Sequence, residues 1–170
     1  MISPGKRQQA HPEKHHPKHP RFDCPEQEVY LNLWRTYDRL RFLEDQLFQS
    51  HGITAQQYNS MRLLRAAHPK RMQTLNIAAR LISRAPDITR LLDRLVERGL
   101  VDRERPADNR RVVLVGITPA GLELLDRLAS QVIDCNRQQL SHLKAEEMRD
   151  LIHLLKRARQ PHEPEAGDWA

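Results

Sequence analysis

The chain has 170 residues, a formal net charge of +6 with histidines neutral, 5% aromatic residues and two cysteines. Its length suits one domain with a core of ordinary size, and few aromatics with abundant leucine favour helical packing over a β-sandwich. Cys24 and Cys135 are too few and too far apart for a zinc site from one chain, and no apolar run approaches the roughly 18 residues of a membrane helix.

Residues 1–25 carry prolines at 4, 12, 17, 20 and 25 and histidines at 11, 15, 16 and 19, leaving almost nothing to bury. A disordered basic tail is expected there. Loose metal binding by the histidines ranks below a solvated arm that touches phosphate, and plain disorder ranks above both. The polar start lacks the apolar region of a secretory signal, so a cytoplasmic protein with free thiols is the default.

From 26 to about 50, Val29, Leu33, Tyr37, Leu40, Leu43 and Leu47 recur at helical spacing, and Trp34, Phe42 and Phe48 broaden the stripe. So much apolar surface on one helix asks for a partner; the plainer alternative is a core helix. Thr54 and Gln57 form a capping box with Ile53 as staple, opening a helix that turns Tyr58, Met61 and Leu64 inward. Thr74 is expected to cap a short helix over 75–82. Residues 83–85 make a turn, and Pro86 stands near the first position of the next helix.

In that helix Ile88, Leu91, Leu92, Leu95 and Val96 form one apolar stripe, while Thr89, Arg90, Arg94 and Arg98 occupy the other faces. Gly99 falls where a helix stop needs positive φ. Residues 100–105 and 111–117 read as two strands joined by a turn over 106–110. Thr118-Pro119 then starts a long helix to about Leu140, with Leu122, Leu125, Leu128, Val132 and Leu140 along its face. A last helix from about Lys144 presents Met148, Leu151, Leu154 and Leu155.

A helix pair followed by a basic hairpin is a winged helix-turn-helix, a mainly α fold with a small β component. The charge follows this division: residues 62–111 hold 13 Lys/Arg against 6 Asp/Glu and residues 1–21 hold 5 against 1, while the remainder is net acidic. That is the footprint of a nucleic-acid binder, weighed against a merely solvated arginine surface.

The stretch ITRLLDRLVERGLVDRERPADNRRVVLVGITPAGLELL resembles the MarR family of transcriptional regulators, with helix, glycine stop, wing and Thr-Pro-x-Gly helix start in order. The resemblance covers about residues 26–158. It implies a dimerisation region over 26–52 and 119–159, where the first helix joins the C-terminal helices of both subunits. It also implies a winged DNA-binding domain over 53–118; residues 160–170, outside the resemblance, are expected to form a disordered tail. Two recognition helices related by a two-fold would meet major grooves roughly 34 Å apart, on a pseudo-palindromic operator. The chain departs from the family pattern at Arg84, where a small hydroxyl usually caps the helix; Ser83 lies one step further out. Arg84 is read as a phosphate contact.

The residues able to enter the major groove are Pro86, Asp87, Thr89 and Arg90, with Arg90 the candidate for bidentate contact with guanine. Arg94 is divided between phosphate, a pairing with Asp93 or Glu97, and a structural role. Thr74 joins the DNA-facing set. At the wing tip, the resemblance implies that one arginine enters the minor groove while Asp108 braces the turn. Strand alternation separates Arg110 from Arg111. Arg110 is assigned to the groove, leaving Arg111 to hold the hairpin, with Asp93 as its candidate partner.

For sensing, the resemblance implies a repressor released by a small aromatic effector, with Trp34, Tyr37, Met61 and Arg80 as candidate contacts that an ordinary core would use equally. A thiol switch of Cys24 and Cys135, as in one subgroup, is the alternative, although Cys24 precedes the helix instead of lying within it. A winged helix that binds only protein is a further one. An enzyme is not expected: His142 and His153 lack metalloprotease spacing, Glu146 and Glu147 diverge on a helix, and no phosphate loop or nucleophile elbow occurs. No cofactor or metal is expected.

Overall fold

A computed structural model describes residues 22–81, 87–107, 109 and 111–163. It divides into a unit ending at Thr36 and a unit beginning at Tyr37. The first contains the opening of helix α1 (Pro25–Ser50). Asp23 and Gln27 start that helix by a reciprocal exchange: the Asp23 N–H donates to Gln27 Oε1 and Gln27 Nε2 donates to Asp23 Oδ2, both at 2.8 Å. Val29, Tyr30, Leu33 and Trp34 are all exposed, and the Tyr30 and Trp34 rings lie 6.4 Å apart.

In the second unit, α1 ends at a turn with Gly52 at φ 69°. Helix α2 (Ala55–Ala67) starts on the predicted capping box: the Gln57 N–H donates to Thr54 Oγ1 at 3.2 Å, and the Thr54 N–H donates to Gln57 Oε1 at 2.9 Å. Ile53 and Tyr58 are both buried, as a hydrophobic staple requires. Strand β1 (Met72–Gln73), helices α3 (Thr74–Arg80) and α4 (Ile88–Glu97), strands β2 (Val101–Glu104) and β3 (Leu114–Ile117), and helices α5 (Pro119–Leu140) and α6 (Ala145–Arg159) follow. A 3-10 turn, Gln160–His162, extends α6.

Among the described residues three strands form the sheet, not two. Its order is β1-β3-β2 and both pairings are antiparallel, with Met72 opposite Val115 and Val101 opposite Ile117. The β2–β3 ladder is also shorter than the two predicted strands. Leu100 gives its N–H to the carbonyl of Leu95 at the end of α4, and the Val112 N–H turns back to Asn109.

One core fills the second unit: Phe48 from α1, Met61 and Leu64 from α2, Ile77 from α3, Leu91, Leu92 and Leu95 from α4, Val101 and Val115 from the sheet, and Leu124, Leu125 and Leu128 from α5. Of the stripe predicted for α4, Leu91, Leu92 and Leu95 are buried, Ile88 is half-buried and Val96 is exposed. Helix α6 buries none of its residues, and Leu151, Ile152 and Leu154 stay exposed. Among the described residues no helix is long and apolar enough to cross a membrane.

Candidate nucleic-acid interface

Helix α4 is fixed at both ends by its own chemistry. At its start Asp87 is the N-cap, its Oδ1 accepting the Arg90 N–H at 3.0 Å. At its end Gly99 takes φ 66°, the Gly99 N–H reaches the Val96 carbonyl at 2.8 Å and the Leu100 N–H reaches that of Leu95 at 3.0 Å. Those two bonds are the pair that closes a Schellman motif, so the helix stop is where Gly99 predicts it.

Between the caps, Leu91, Leu92 and Leu95 face the core while Thr89, Arg90 and Arg94 are exposed. The three polar residues assigned to DNA therefore share the solvent side of a helix packed firmly on its other side. Arg90 is also 3.1 Å from the Asp87 carboxylate through Nε. Arg98 faces another way: its guanidinium donates to the carbonyls of His51 and Gly52, binding the end of α4 to the α1–α2 turn.

Thr74 is the first residue of α3 and not its cap. The N-cap is Gln73, which makes no side-chain capping bond. Gln73 still belongs to β1, so its backbone is committed to the ladder. The Thr74 N–H and Oγ1 both turn to the carbonyl of Val113, at 3.2 and 3.5 Å, joining the helix start to the wing. Arg84 and Pro86 lie outside the described residues, as do Asp108 and Arg110 at the wing tip. Arg111 is exposed, and its N–H donates to Asn109 Oδ1 at 3.2 Å.

The expected tie between Arg111 and Asp93 is replaced by another. Asp93 pairs with Arg103, whose guanidinium also donates to the Thr89 carbonyl at 3.1 Å. Arg103 lies mid-strand in β2, beside α4, whereas Arg111 is out at the tip. One side chain thereby holds the wing strand to the recognition helix at two points. Among the described residues its Nε is buried without a hydrogen-bond partner, and Asp93 supplies a compensating charge to this part-buried cation. Asp93→Ala is expected to cost about 1–2 kcal/mol, an amount limited by the solvent exposure of Asp93 and readable by urea unfolding.

A second network braces the sheet. Arg71 grips Asp102 through two parallel bonds of 2.6 and 2.8 Å and reaches Glu104 at 3.0 Å. Gly116 makes room for it, since a Cβ there would lie 2.9 Å from Asp102 Oδ1 and 3.0 Å from Arg71 Nη1. The Arg71 hydrogen bonds hold the Asp102 carboxyl below its usual range. A depressed acid contributes its stability above the unfolded value, about 3.9, and loses it as pH falls through the lower folded value. Urea unfolding of wild type and Asp102→Asn from pH 6 to pH 2 should therefore show their stability difference shrinking below about pH 4.

The candidate effector residues are not alike. Met61 is fully buried in the core, whereas Tyr37 and Arg80 are exposed. Trp34 belongs to the first unit and is exposed. Of the two thiols, Cys24 is exposed and Cys135 is buried. Burial, with the nearby Glu44 charge, pushes the Cys135 thiol up, away from the thiolate that redox chemistry needs. Among the described residues no group of three His, Cys, Asp or Glu could hold a metal ion.

Two helices in sequence, the second exposing a basic face and tied to an antiparallel hairpin, make a winged helix-turn-helix. The MarR family model matches residues 53–113. The repressor of the homoprotocatechuate degradative operon from Escherichia coli is 31% identical over 109 residues, covering 64% of this chain and 72% of that protein. A MarR transcription factor from Planctomyces limnophilus is 54% identical, spans 80% of this chain and 98% of its own, and superposes with a TM-score of 0.65. A mutant MarR from E. coli, solved in complex with operator DNA, is 25% identical over 77% of this chain and 93% of its own, with a TM-score of 0.69. The chain belongs to the MarR family of transcriptional regulators.

Proposed function

We propose that the chain acts in the cytoplasm as a homodimeric, sequence-specific repressor that reads a pseudo-palindromic operator with α4 and the wing and is released by a small aromatic ligand. The observation that carries the DNA-binding part is the polar side of α4, where Thr89, Arg90 and Arg94 are exposed on a helix whose apolar side is sealed in the core. Basic residues on the solvent face of a capped helix match what the major groove accepts. The relative solved on operator DNA supports the same use of the fold.

Dimerisation is supported by apolar surface without cover: Val29, Leu33, Trp34 and Phe42 on α1, and Ile152 and Leu154 on α6, are exposed. Release by an aromatic ligand is supported by the 31% identical relative, whose name ties it to a homoprotocatechuate degradative operon. The candidate contacts are Trp34, Tyr37, Met61 and Arg80, of which Met61 is buried in the core and the other three are exposed.

Selection of duplexes from a random pool by the full-length chain tests the proposal. Enrichment of an inverted repeat with half-sites about one helical turn apart is expected, with two chains on each duplex. Homoprotocatechuate added to that complex should weaken it. Enrichment of no sequence would leave a protein-binding winged helix, and an enriched site indifferent to aromatic acids would remove the ligand alone.

A further inference from the structure

We infer that Asp87 is a specificity-determining positioning residue: it holds Arg90 so that the terminal nitrogens of the guanidinium point outward for base reading. The inference rests on the proposed DNA-reading role of α4 and goes beyond it by assigning the base preference to a pair instead of to Arg90 alone. Both oxygens of one carboxylate are committed to one residue. Oδ1 accepts the backbone N–H of Arg90 at 3.0 Å, and Oδ2 lies 3.1 Å from its Nε. Backbone and side chain of Arg90 are therefore referred to the same rigid group, itself fixed as the N-cap of a helix buried along its other side.

The chemistry of a guanidinium makes this useful. A planar fork that has Nε occupied still offers Nη1 and Nη2 along its far edge, the geometry that matches two acceptors on a guanine. Without the pair, an arginine whose side chain is 83% exposed would sample many rotamers and lose entropy on docking. A carboxylate so near the DNA backbone also repels phosphate. Asp87 therefore lowers indiscriminate affinity while sharpening the one contact it orients.

Asp87→Asn separates this role from helix capping. Asparagine caps as well as aspartate does, but its single oxygen goes to the Arg90 N–H and leaves an amide N–H₂ facing Nε–H, two donors opposed. The test uses the full chain and the duplex it selects from a random pool, with each base pair of one half-site then substituted in turn. Arg90→Ala first marks the base pair that Arg90 reads. At that base pair Asp87→Asn should reduce discrimination about two- to fivefold, the range an exposed ion pair supports, with thermal stability unchanged. In an Arg90→Ala background, Asp87→Asn should change discrimination no further.

Undiminished preference in Asp87→Asn, or an equal loss with and without Arg90, would overturn the inference while leaving the DNA-reading role of α4 intact. A wild-type chain that enriches no sequence would overturn both.

Discussion

Replacing Gly121 by alanine is expected to destabilise the protein by about 3 kcal/mol, at the upper end of what overpacking costs. A Cβ at this position would lie 2.2 Å from the carbonyl oxygen of Leu100 and 2.8 Å from Cγ1 of Ile117. Neither neighbour can give way cheaply. The Leu100 carbonyl accepts the Thr118 N–H at 3.2 Å, and Leu100 itself closes the Schellman motif behind α4. The Gly121 N–H meanwhile caps α5 by donating to Thr118 Oγ1 at 3.2 Å. The recognition helix, the wing and α5 thus meet at a point that only a hydrogen side chain fits. For a chain of this size the loss corresponds to a fall in Tm of about 6–12 °C.

Gly99→Ala supplies the contrast. Among the described residues nothing stands within 4 Å of a Cβ there, and the positive φ of 66° is what resists it, so its cost should stay near 1–2 kcal/mol. Calorimetry or urea unfolding of the two variants checks the order. A Gly121→Ala protein as stable as wild type would mean that the close approach of α5 to Leu100 is not real.

The second large effect is expected on the exposed side of α1. Val29 and Leu33 stand one turn apart and are 58% and 39% exposed. Changing both to glutamate puts a good helix former at each position and disturbs little in the single chain. Buried in a dimer interface, however, two unpaired carboxylates would be prohibitive. Sedimentation at micromolar concentration should show wild type as a dimer and the double variant as a monomer. Operator affinity should fall about 100-fold or more, because the second half-site is no longer bound intramolecularly. A double variant that stays dimeric and binds as wild type would show that this face is not the interface.

Elements governed by neighbouring residues were legible in the sequence. The Thr54–Gln57 box, the Gly99 stop and the Thr118-Pro119 start each depend on a few adjacent positions, and each forms where it is read. The α4 stripe was legible because helical period and burial coincide at Leu91, Leu92 and Leu95, with Ile88 half-buried and Val96 exposed at its two ends. Strand β1 was not legible, since two residues carry no period. It exists because β3 offers an edge, and its presence also displaced Thr74 from the cap into the helix.

The ion pairs escaped for a different reason. Arg71 with Asp102 and Arg103 with Asp93 join residues brought together by the register of β2 and its placement beside α4. A chain this rich in arginine offers many partners for each acid, so pattern alone led to Arg111 where the fold uses Arg103. Leu124 was missed beside Leu125 because α5 is buried along a broader face than a single stripe. At the candidate interface Thr89, Arg90 and Arg94 are exposed, while the Asp87–Arg90 pair became visible only with the cap geometry.

The measurement that bears most directly on operator reading is a salt-dependent titration of the selected duplex with wild type and Arg90→Ala. Wild type should prefer that duplex over scrambled DNA by a factor of about 1,000 or more. Its affinity should fall steeply with salt, by roughly 0.9 logarithmic units per decade for each phosphate neutralised. Arg90→Ala should lose about 1–3 kcal/mol of preference while keeping most of the salt slope, since a base contact is removed and the phosphate contacts remain. Equal binding of both proteins to both duplexes would contradict the account, because α4 would then not be reading sequence.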